Sequence, residues 1–440
     1  MMHMNYDKDF LSAYEELEKF EKEKGNKDLN ITIKQNEDIC YTYKTKMTSD
    51  IEESFFYVKK IILSLIYMVG GNEIIVNDLD IYNKLITVVD DDKELSSAIK
   101  NMEVVFHKDF EITYYAEEIK EKEHIVPLSD DFSGNRIGFD AGGSDRKVSA
   151  VKDGKVIFSE ETLWLPKEQE DYHYHYDGIL DSMKKAYDAL GGKVDAIGVS
   201  SAGIVMNDEM AQSNLFIKVP QKDQIKFVRN IYKDIAKKEF HDVPIKVAND
   251  GDVTALGGEL MYHKDHILGL AMGTSEATGY CQNKSFNGWI NELGKVPMNY
   301  ASDAVAHYAT GIVGAGSEYL SQKGIIRLCG MAGIVFEGTL AKQLVQIQEE
   351  AKKGNPVVLS CYEDMGMYLG SSLALYKKFL DIRNVLLLGR VMTGVGGDII
   401  IRKANEYLKE KHIDINVFTA DENFKRLGQS FVAAGLVKIQ

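Results

Sequence analysis

A chain of 440 residues with 45% apolar side chains is too long for one ordinary domain and can bury a substantial core in each of two or three. Its formal net charge of -15 argues against phosphate-backbone binding, which needs clustered Lys and Arg, so nucleic acid is not an expected partner. Cys40, Cys281, Cys329 and Cys361 form no C-x-x-C pair, which suggests neither a disulfide framework nor a zinc knuckle and fits a reducing cytoplasm.

The opening MMHMNYDKDF lacks a basic start followed by an apolar core, and the longest apolar stretch, Ile61 to Val69, is too short for a membrane span. Neither export nor insertion is expected. Periodicity predicts helices over Asp7 to Glu23 and Ser49 to Val69, then short strands at Glu73 to Val76, Met102 to Phe106 and Phe110 to Ala116. This reads as a small α/β unit, residues 1–133. The charged run Glu117 to His124 and the turn-rich Leu128 to Asn135 read as the exposed linker that ends it.

From Arg136 the pattern becomes strand, glycine turn, strand, with a hairpin signal at Asp153 and Gly154. A helix over Tyr176 to Leu190 precedes a strand at Val194 to Ser200. A helix over Lys222 to Lys238 precedes strands at Pro244 to Asp250 and Ile267 to Gly273. Such alternation predicts layered α/β lobes. The last third is helix-rich, over Thr339 to Lys353 and Val357 to Phe379, before a strand at Asn384 to Gly389.

Four motifs carry chemistry. In GFDAGGSDRKVSAV (Gly138 to Val151) a strand ends in Asp140 and a glycine turn follows, where consecutive N–H groups can cradle phosphate oxygens and Asp140 can hold magnesium through water. The plain reading is an ordinary hairpin. In IKVANDGDVTALGGE (Ile245 to Glu259) a strand delivers Asn249 and Asp250 to its C-terminal end, where α/β proteins place their chemistry. The plain reading is that Asp250 or Asp252 caps the next helix. GLAMGTSEATGY (Gly269 to Tyr280) repeats the shape of the first motif, which marks a duplicated lobe. VLLLGRVMTGVGGDIII (Val385 to Ile401) runs a strand into a glycine turn and a helix start suited to a nucleotide.

The order of these motifs, with VDAIGVSSAGIV (Val194 to Val205), NELGK (Asn291 to Lys295) and LGQSFVAAGLV (Leu427 to Val437), resembles the ROK family (repressor, open reading frame, kinase) of the sugar kinase, heat-shock chaperone and actin superfamily. The resemblance covers about Gly134 to Gln440. It implies an α/β, two-lobed actin-like ATPase (ribonuclease H-like) fold with the small α/β N-terminal domain added. The implied division is 1–133, then a lobe over 134–250 completed by a C-terminal helix 424–440, then a lobe over 251–423. Residue by residue, Asp140, Gly142, Gly143 and Ser144 match the family's first phosphate motif, and Gly273, Thr274 and Ser275 the second. Asn249 and Asp250 match the pair that binds a sugar hydroxyl and deprotonates it. Glu292 matches a sugar-binding Glu, Gly203 a sugar-side glycine, and Gly389, Gly394, Gly396 and Gly397 the adenosine turn. The implied activity is ATP-dependent phosphorylation of a small-molecule carbohydrate, with ATP and magnesium as cofactors and a homodimer as one assembly. Phosphoryl transfer needs little beyond positioning, charge neutralisation and a base, which these residues could supply.

Lys295 stands where the family usually has a zinc-binding His, and no cysteine-rich cluster follows, so no structural zinc is expected and Tyr300 to Ile334 must build the sugar wall differently. After Ser144 come Asp145, Arg146 and Lys147, so a carboxylate sits where relatives commonly have a cation. Arg146 or Lys147 could reach a phosphate, or both could alternate across a solvated strand. His173 and His175, in WLPKEQEDYHYHYDG, could flank a metal or lie in a packing loop, and the loop is the favoured reading.

Two other functions fit the same resemblance. One is a non-catalytic carbohydrate sensor or binding protein in which residues 1–133 transmit occupancy, although their β-rich, acidic character is unlike a basic recognition helix. The other is an activating ATPase for a radical dehydratase, for which the four cysteines are badly placed.

Overall fold

The computed structural model describes residues 3–36 and 39–439. Among the described residues three larger sheets carry the architecture, beside a two-stranded ribbon of Ile204–Met206 and Glu209–Gln212. A four-stranded sheet runs in the order Cys40–Met47, Lys27–Lys34, Glu73–Val76, Glu111–Tyr114. A mixed five-stranded sheet runs Ile245–Asn249, Ala196–Ser201, Asn135–Ala141, Asp145–Lys152, Lys155–Leu163, its first three strands parallel and the rest antiparallel. A mixed six-stranded sheet runs Asn416–Thr419, Asn384–Leu388, Ile267–Met272, Glu276–Gln282, Ser285–Phe286, Val126–Pro127. The chain forms two compact units: residues 1–124, 270–278 and 288–419 in the first, and 125–269, 279–287 and 420–440 in the second.

In the first unit, Asp50 caps the helix Ile51–Met68 by accepting from the Glu52 and Glu53 N–H groups. That helix is buried along nearly its whole second half, from Lys60 to Met68, so the apolar run that begins at Ile61 is core. Among the described residues no helix is long and apolar enough to cross a membrane. The strand expected at Met102 to Phe106 is instead the last turn of the helix Lys93–Phe106. Leu95, Ala98, Met102 and Val105 are its buried stripe, a helical spacing that a five-residue window cannot display. The helix expected from Asp7 begins only at Ala13, because Ser12 caps it and Asp7 is engaged by the Tyr368 hydroxyl. Close by, both carboxylate oxygens of Asp364 are taken by the N–H groups of Asn5 (2.7 Å) and Tyr6 (2.8 Å). The hairpin Lys27–Lys34/Cys40–Met47 and the helix Leu79–Val88 are not among the elements that the sequence pattern predicts.

In the second unit the helices Tyr172–Ala189 and Ile231–Glu239 pack with the five-stranded sheet around Ile137, Phe139, Val148, Ile197 and Val199. The single helix expected over Lys222 to Lys238 is broken near Arg229, whose carbonyl accepts from the Met210 N–H (2.9 Å) and so leaves the helical ladder. The helix Glu422–Ala434 lies so close to the sheet that a Cβ on Gly138 or Gly198 would meet its backbone at 1.8 or 1.7 Å.

Candidate active site

The parallel register of the second unit brings three strand ends together. Asp140 is level with Ser200, and Ser201 with both Ala141 and Asn249. Neighbouring strands lie about 4.8 Å apart, so Asp140 and Asn249 stand roughly 10 Å apart across Ser200 and Ser201. Ser200 Oγ donates to Asp140 Oδ1 at 2.6 Å. Burial, opposed by that hydrogen bond and reinforced by the nearby charge of Asp250, pushes the Asp140 carboxyl up to about 7.

Asn249, not Asp250 or Asp252, caps the following helix Asp250–Tyr262. Its Oδ1 accepts from the Gly251 (2.8 Å) and Asp252 (3.3 Å) N–H groups, while its Nδ2 donates to the Gly203 carbonyl at 2.7 Å. Asp250 then occupies the first helical position, where its Oδ1 accepts from the Gly251 N–H at 3.0 Å. Gln429 Nε2 donates to the Asp250 carbonyl and to Thr254 Oγ1, both at 2.8 Å, which ties this turn to the C-terminal helix. Asp252 serves the neighbouring strand instead, its Oδ1 accepting from the Tyr280 N–H at 2.9 Å. Gly203 has φ +124° and a Cβ there would lie 2.4 Å from the Gln212 carbonyl, so the turn that faces Asn249 requires glycine.

Gly142, Gly143 and Ser144 form the turn between the strands Asn135–Ala141 and Asp145–Lys152. Ser144 Oγ donates to Asp145 Oδ2 (3.0 Å), and Trp164 clamps the turn with Nε1 on the Gly142 carbonyl (2.9 Å) and its N–H on the Ser144 carbonyl (3.1 Å). Arg146 is turned away onto Ser182 (2.8 Å) and Asp181 (3.3 Å), with its guanidinium over Trp164. Lys147 is the cross-strand neighbour of Asp140, with Nζ 3.6 Å from Asp145 Oδ1. Sequence reading misses Lys167, on the turn Pro166–Glu168, whose Nζ comes within 3.3 Å of where a Cβ on Gly143 would sit. No spacing signal could find it, because the approach is made by a turn more than twenty residues downstream.

His173 and His175 lie on a helix rather than in a loop. His175 is fully buried with Nε2 at 3.0 Å from the Pro166 and Leu215 carbonyls, while His173 is exposed beside Asp171, so the two do not share a ligand. Among the described residues no group of three or more His, Cys, Asp or Glu could hold a metal ion by itself.

In the first unit Gly273, Thr274 and Ser275 link the strands Ile267–Met272 and Glu276–Gln282, and the Gly273 carbonyl accepts from the Gln322 N–H at 2.8 Å. Gly389 has φ +96° and sits where a Cβ would strike the Met272 backbone at 2.4 Å. Gly394 faces open space, whereas Gly396 and Gly397 are filled against by the Tyr362 ring and the Met392 carbonyl, so helix packing alone already requires glycine there. Glu292 is three-quarters buried, with Lys295 Nζ 3.1 Å from its Oε2 and that ammonium over the Tyr67 ring. Glu276, next to Ser275, is a second buried carboxyl. Desolvation, opposed by the Tyr376 hydroxyl at 3.3 Å, pushes it up to about 8.

Two mixed sheets flanked by helices, with acidic residues and glycine turns at strand ends, give an α/β protein with the actin-like fold seen in ROK structures, extended by an N-terminal α/β sheet. The chain belongs to the ROK family, whose model matches residues 136–423. Among solved structures, the ROK hexokinase from Thermus thermophilus aligns with TM-score 0.53 and 17% identity over 69% of this chain and 97% of its own. A ROK family transcriptional regulator, a homolog of the E. coli MLC protein, aligns with TM-score 0.56 and 16% identity over 70% and 78%. A ROK family protein from Streptococcus pneumoniae in complex with sucrose aligns with TM-score 0.50 and 14% identity over 68% and 96%. A comparison with curated proteins finds no match.

Proposed function

We propose that this chain is an ATP-dependent carbohydrate kinase in which Asp250 is the general base. The observation that supports it most is the strand-end set of the second unit: a carboxylate at the first turn of a helix, beside an Asn whose amide is anchored to Gly203, with the buried Asp140 close enough to feel its charge.

In this reading Asn249 and Glu292 bind hydroxyls of the sugar. Asp250 takes the proton of the attacking hydroxyl as that oxygen bonds to the γ-phosphorus, and the bond from γ-phosphorus to the bridging oxygen breaks to release ADP. The Gly142 N–H closes its turn on the Asp145 carbonyl and the Gly273 N–H on the Ser275 carbonyl (both 3.0 Å), so Gly142 and Gly273 shape the turns while Gly143, Ser144, Thr274 and Ser275 offer N–H groups and hydroxyls to phosphate oxygens, and Lys147 and Lys167 offset their charge. Gly389, Gly394, Gly396 and Gly397 form the adenosine turn. Asp140 would hold a magnesium ion through water, since a divalent cation would offset the effects of burial and of the Asp250 charge that hold that carboxyl up, and the ion would supply neutralisation of the phosphates.

The test is transfer of phosphate from magnesium ATP to pooled monosaccharides, amino sugars and polyols, with Asp250→Asn as control. A drop of about 10²–10⁴-fold in the variant, with nucleotide binding retained, is the expected result. Nucleotide binding without transfer to any pool would replace the kinase by a carbohydrate sensor.

A further inference from the structure

Between the strand Ser285–Phe286 and the turn Gly316–Glu318, the stretch 288–315 contains one short 3-10 turn, Leu293–Lys295, yet Leu293, Val296, Met298 and Ile312 are fully buried. Part of its backbone is satisfied within the segment, as where the His307 N–H donates to the Ile312 carbonyl (2.8 Å) and the Gly314 N–H to the Val305 carbonyl (2.9 Å), and the remaining groups need partners outside it. Many of them lie in residues 1–124, within the same unit.

The carbonyls of Tyr67, Met68 and Val69 accept from the N–H groups of Glu292 (2.8 Å), Asn291 (2.9 Å) and Ile290 (3.2 Å). Ala13 N–H donates to the Met298 carbonyl (3.0 Å), and Tyr300 N–H to the Leu11 carbonyl (2.9 Å). At the far end, Val313 is held by both of its backbone groups. Its N–H donates to Glu94 Oε1 (2.8 Å) and its carbonyl accepts from Lys60 Nζ (3.2 Å). Lys60 and Glu94 are themselves 3.2 Å apart, with side chains 5% and 11% exposed.

Burying such a pair carries a desolvation cost that its attraction often fails to offset, and apolar side chains of the same volume would be as stable or more so. Apolar side chains could not bond both polar groups of Val313. We infer that residues 1–124 set the acceptor specificity of this protein, with Lys60 and Glu94 as positioning residues that hold the segment 288–315, and with it Glu292, in one arrangement. The inference rests on the reading of Glu292 as a sugar ligand.

Lys60→Met removes the ammonium and keeps the stem, Lys60→Met/Glu94→Leu exchanges the pair for apolar bulk, and Glu94→Gln keeps an oxygen for Val313. Hydrogen exchange of the full-length protein reads the 288–315 amides whether or not an acceptor is known, and steady-state kinetics read the KM for acceptor and for ATP separately. Expected for the first two variants is exchange about tenfold faster over 288–315 and an acceptor KM raised about tenfold with the ATP KM unchanged. The double variant regains thermal stability without regaining acceptor KM, whereas Glu94→Gln keeps an acceptor for Val313 and an acceptor KM nearer wild type than Lys60→Met gives, but loses thermal stability because Lys60 and Lys59 lose their shared carboxylate. Folded Lys60→Met and Lys60→Met/Glu94→Leu proteins whose 288–315 amides exchange at the wild-type rate would overturn the inference. A wild-type protein that phosphorylates no acceptor would sink the kinase reading instead, with the exchange data still deciding whether Lys60 and Glu94 hold the segment.

Discussion

Asn249 divides its two side-chain ends between two partners: the oxygen caps the helix that begins at Asp250, and the amide holds the Gly203 carbonyl at 2.7 Å. The two roles can be separated by substitution. Asn249→Asp keeps the capping oxygen and loses the donor, so its thermal midpoint stays near wild type while acceptor KM rises. Asn249→Ala loses both and is destabilised by about 1 kcal/mol. Equal stability loss in the two variants, measured by urea titration, would contradict this division.

Lys167 reaches the turn proposed to hold phosphate from outside the motif, and Gly143 leaves room beneath it. Lys167→Met and Gly143→Ala should each weaken binding of a non-hydrolysable ATP analogue about 5–10-fold, the first by removing a cation and the second by filling the cradle. Calorimetric titration reads the affinity, and neither variant should shift the melting midpoint.

Glu276 carries its proton more tightly folded than unfolded, since burial raises its carboxyl to about 8 against the lowering pull of the Tyr376 hydroxyl. Below the ordinary carboxylate range both states are therefore protonated and nothing is lost, stability falls as pH rises toward about 8, and it is level above that. Glu276→Gln removes the dependence. Chemical denaturation of the two proteins at pH 5 and pH 8 should show the variant gaining on wild type only at the higher pH; a constant difference would refute the assignment.

The glycines divide in a way that melts can check. At Gly273 a Cβ would approach nothing nearer than the Ser275 carbonyl at 3.6 Å, so Gly273→Ala should keep its stability within about 0.5 kcal/mol and lose nucleotide affinity. At Gly389 the positive φ and the Met272 backbone forbid a side chain, so Gly389→Ala should lower the midpoint by several degrees, equivalent to about 2 kcal/mol or more.

Much of the fold is legible in the residues themselves, and the rest has physical reasons to be hidden. Strands whose ends carry Asp140 and Asn249 announce themselves by an apolar run followed by polar residues and glycine, and motif order then leads to the ROK family and its fold. Helix Ile51–Met68 and strand Glu73–Val76 are equally plain. The Met102 to Phe106 stretch misleads because five β-prone residues look the same at the end of a helix. The capping role of Asn249 reads as belonging to its acidic neighbours because Asn249, Asp250 and Asp252 compete on nearly equal terms as caps, and only the Gly203 partner decides. Lys167, Glu276 and the Lys60–Glu94 pair act through contacts distant in sequence, and a single sequence holds no signal for those.

The hold of Asp364 on Asn5 and Tyr6 has a consequence for the order of events during synthesis. Those N–H groups emerge from the ribosome more than 350 residues before their acceptor does. At about 5–20 residues per second the first segment waits tens of seconds, with its apolar helix Ile51–Met68 already made and the stretch it supports still untranslated. The first unit therefore closes late, and nascent chains of this protein are expected to need chaperone cover over their first hundred residues.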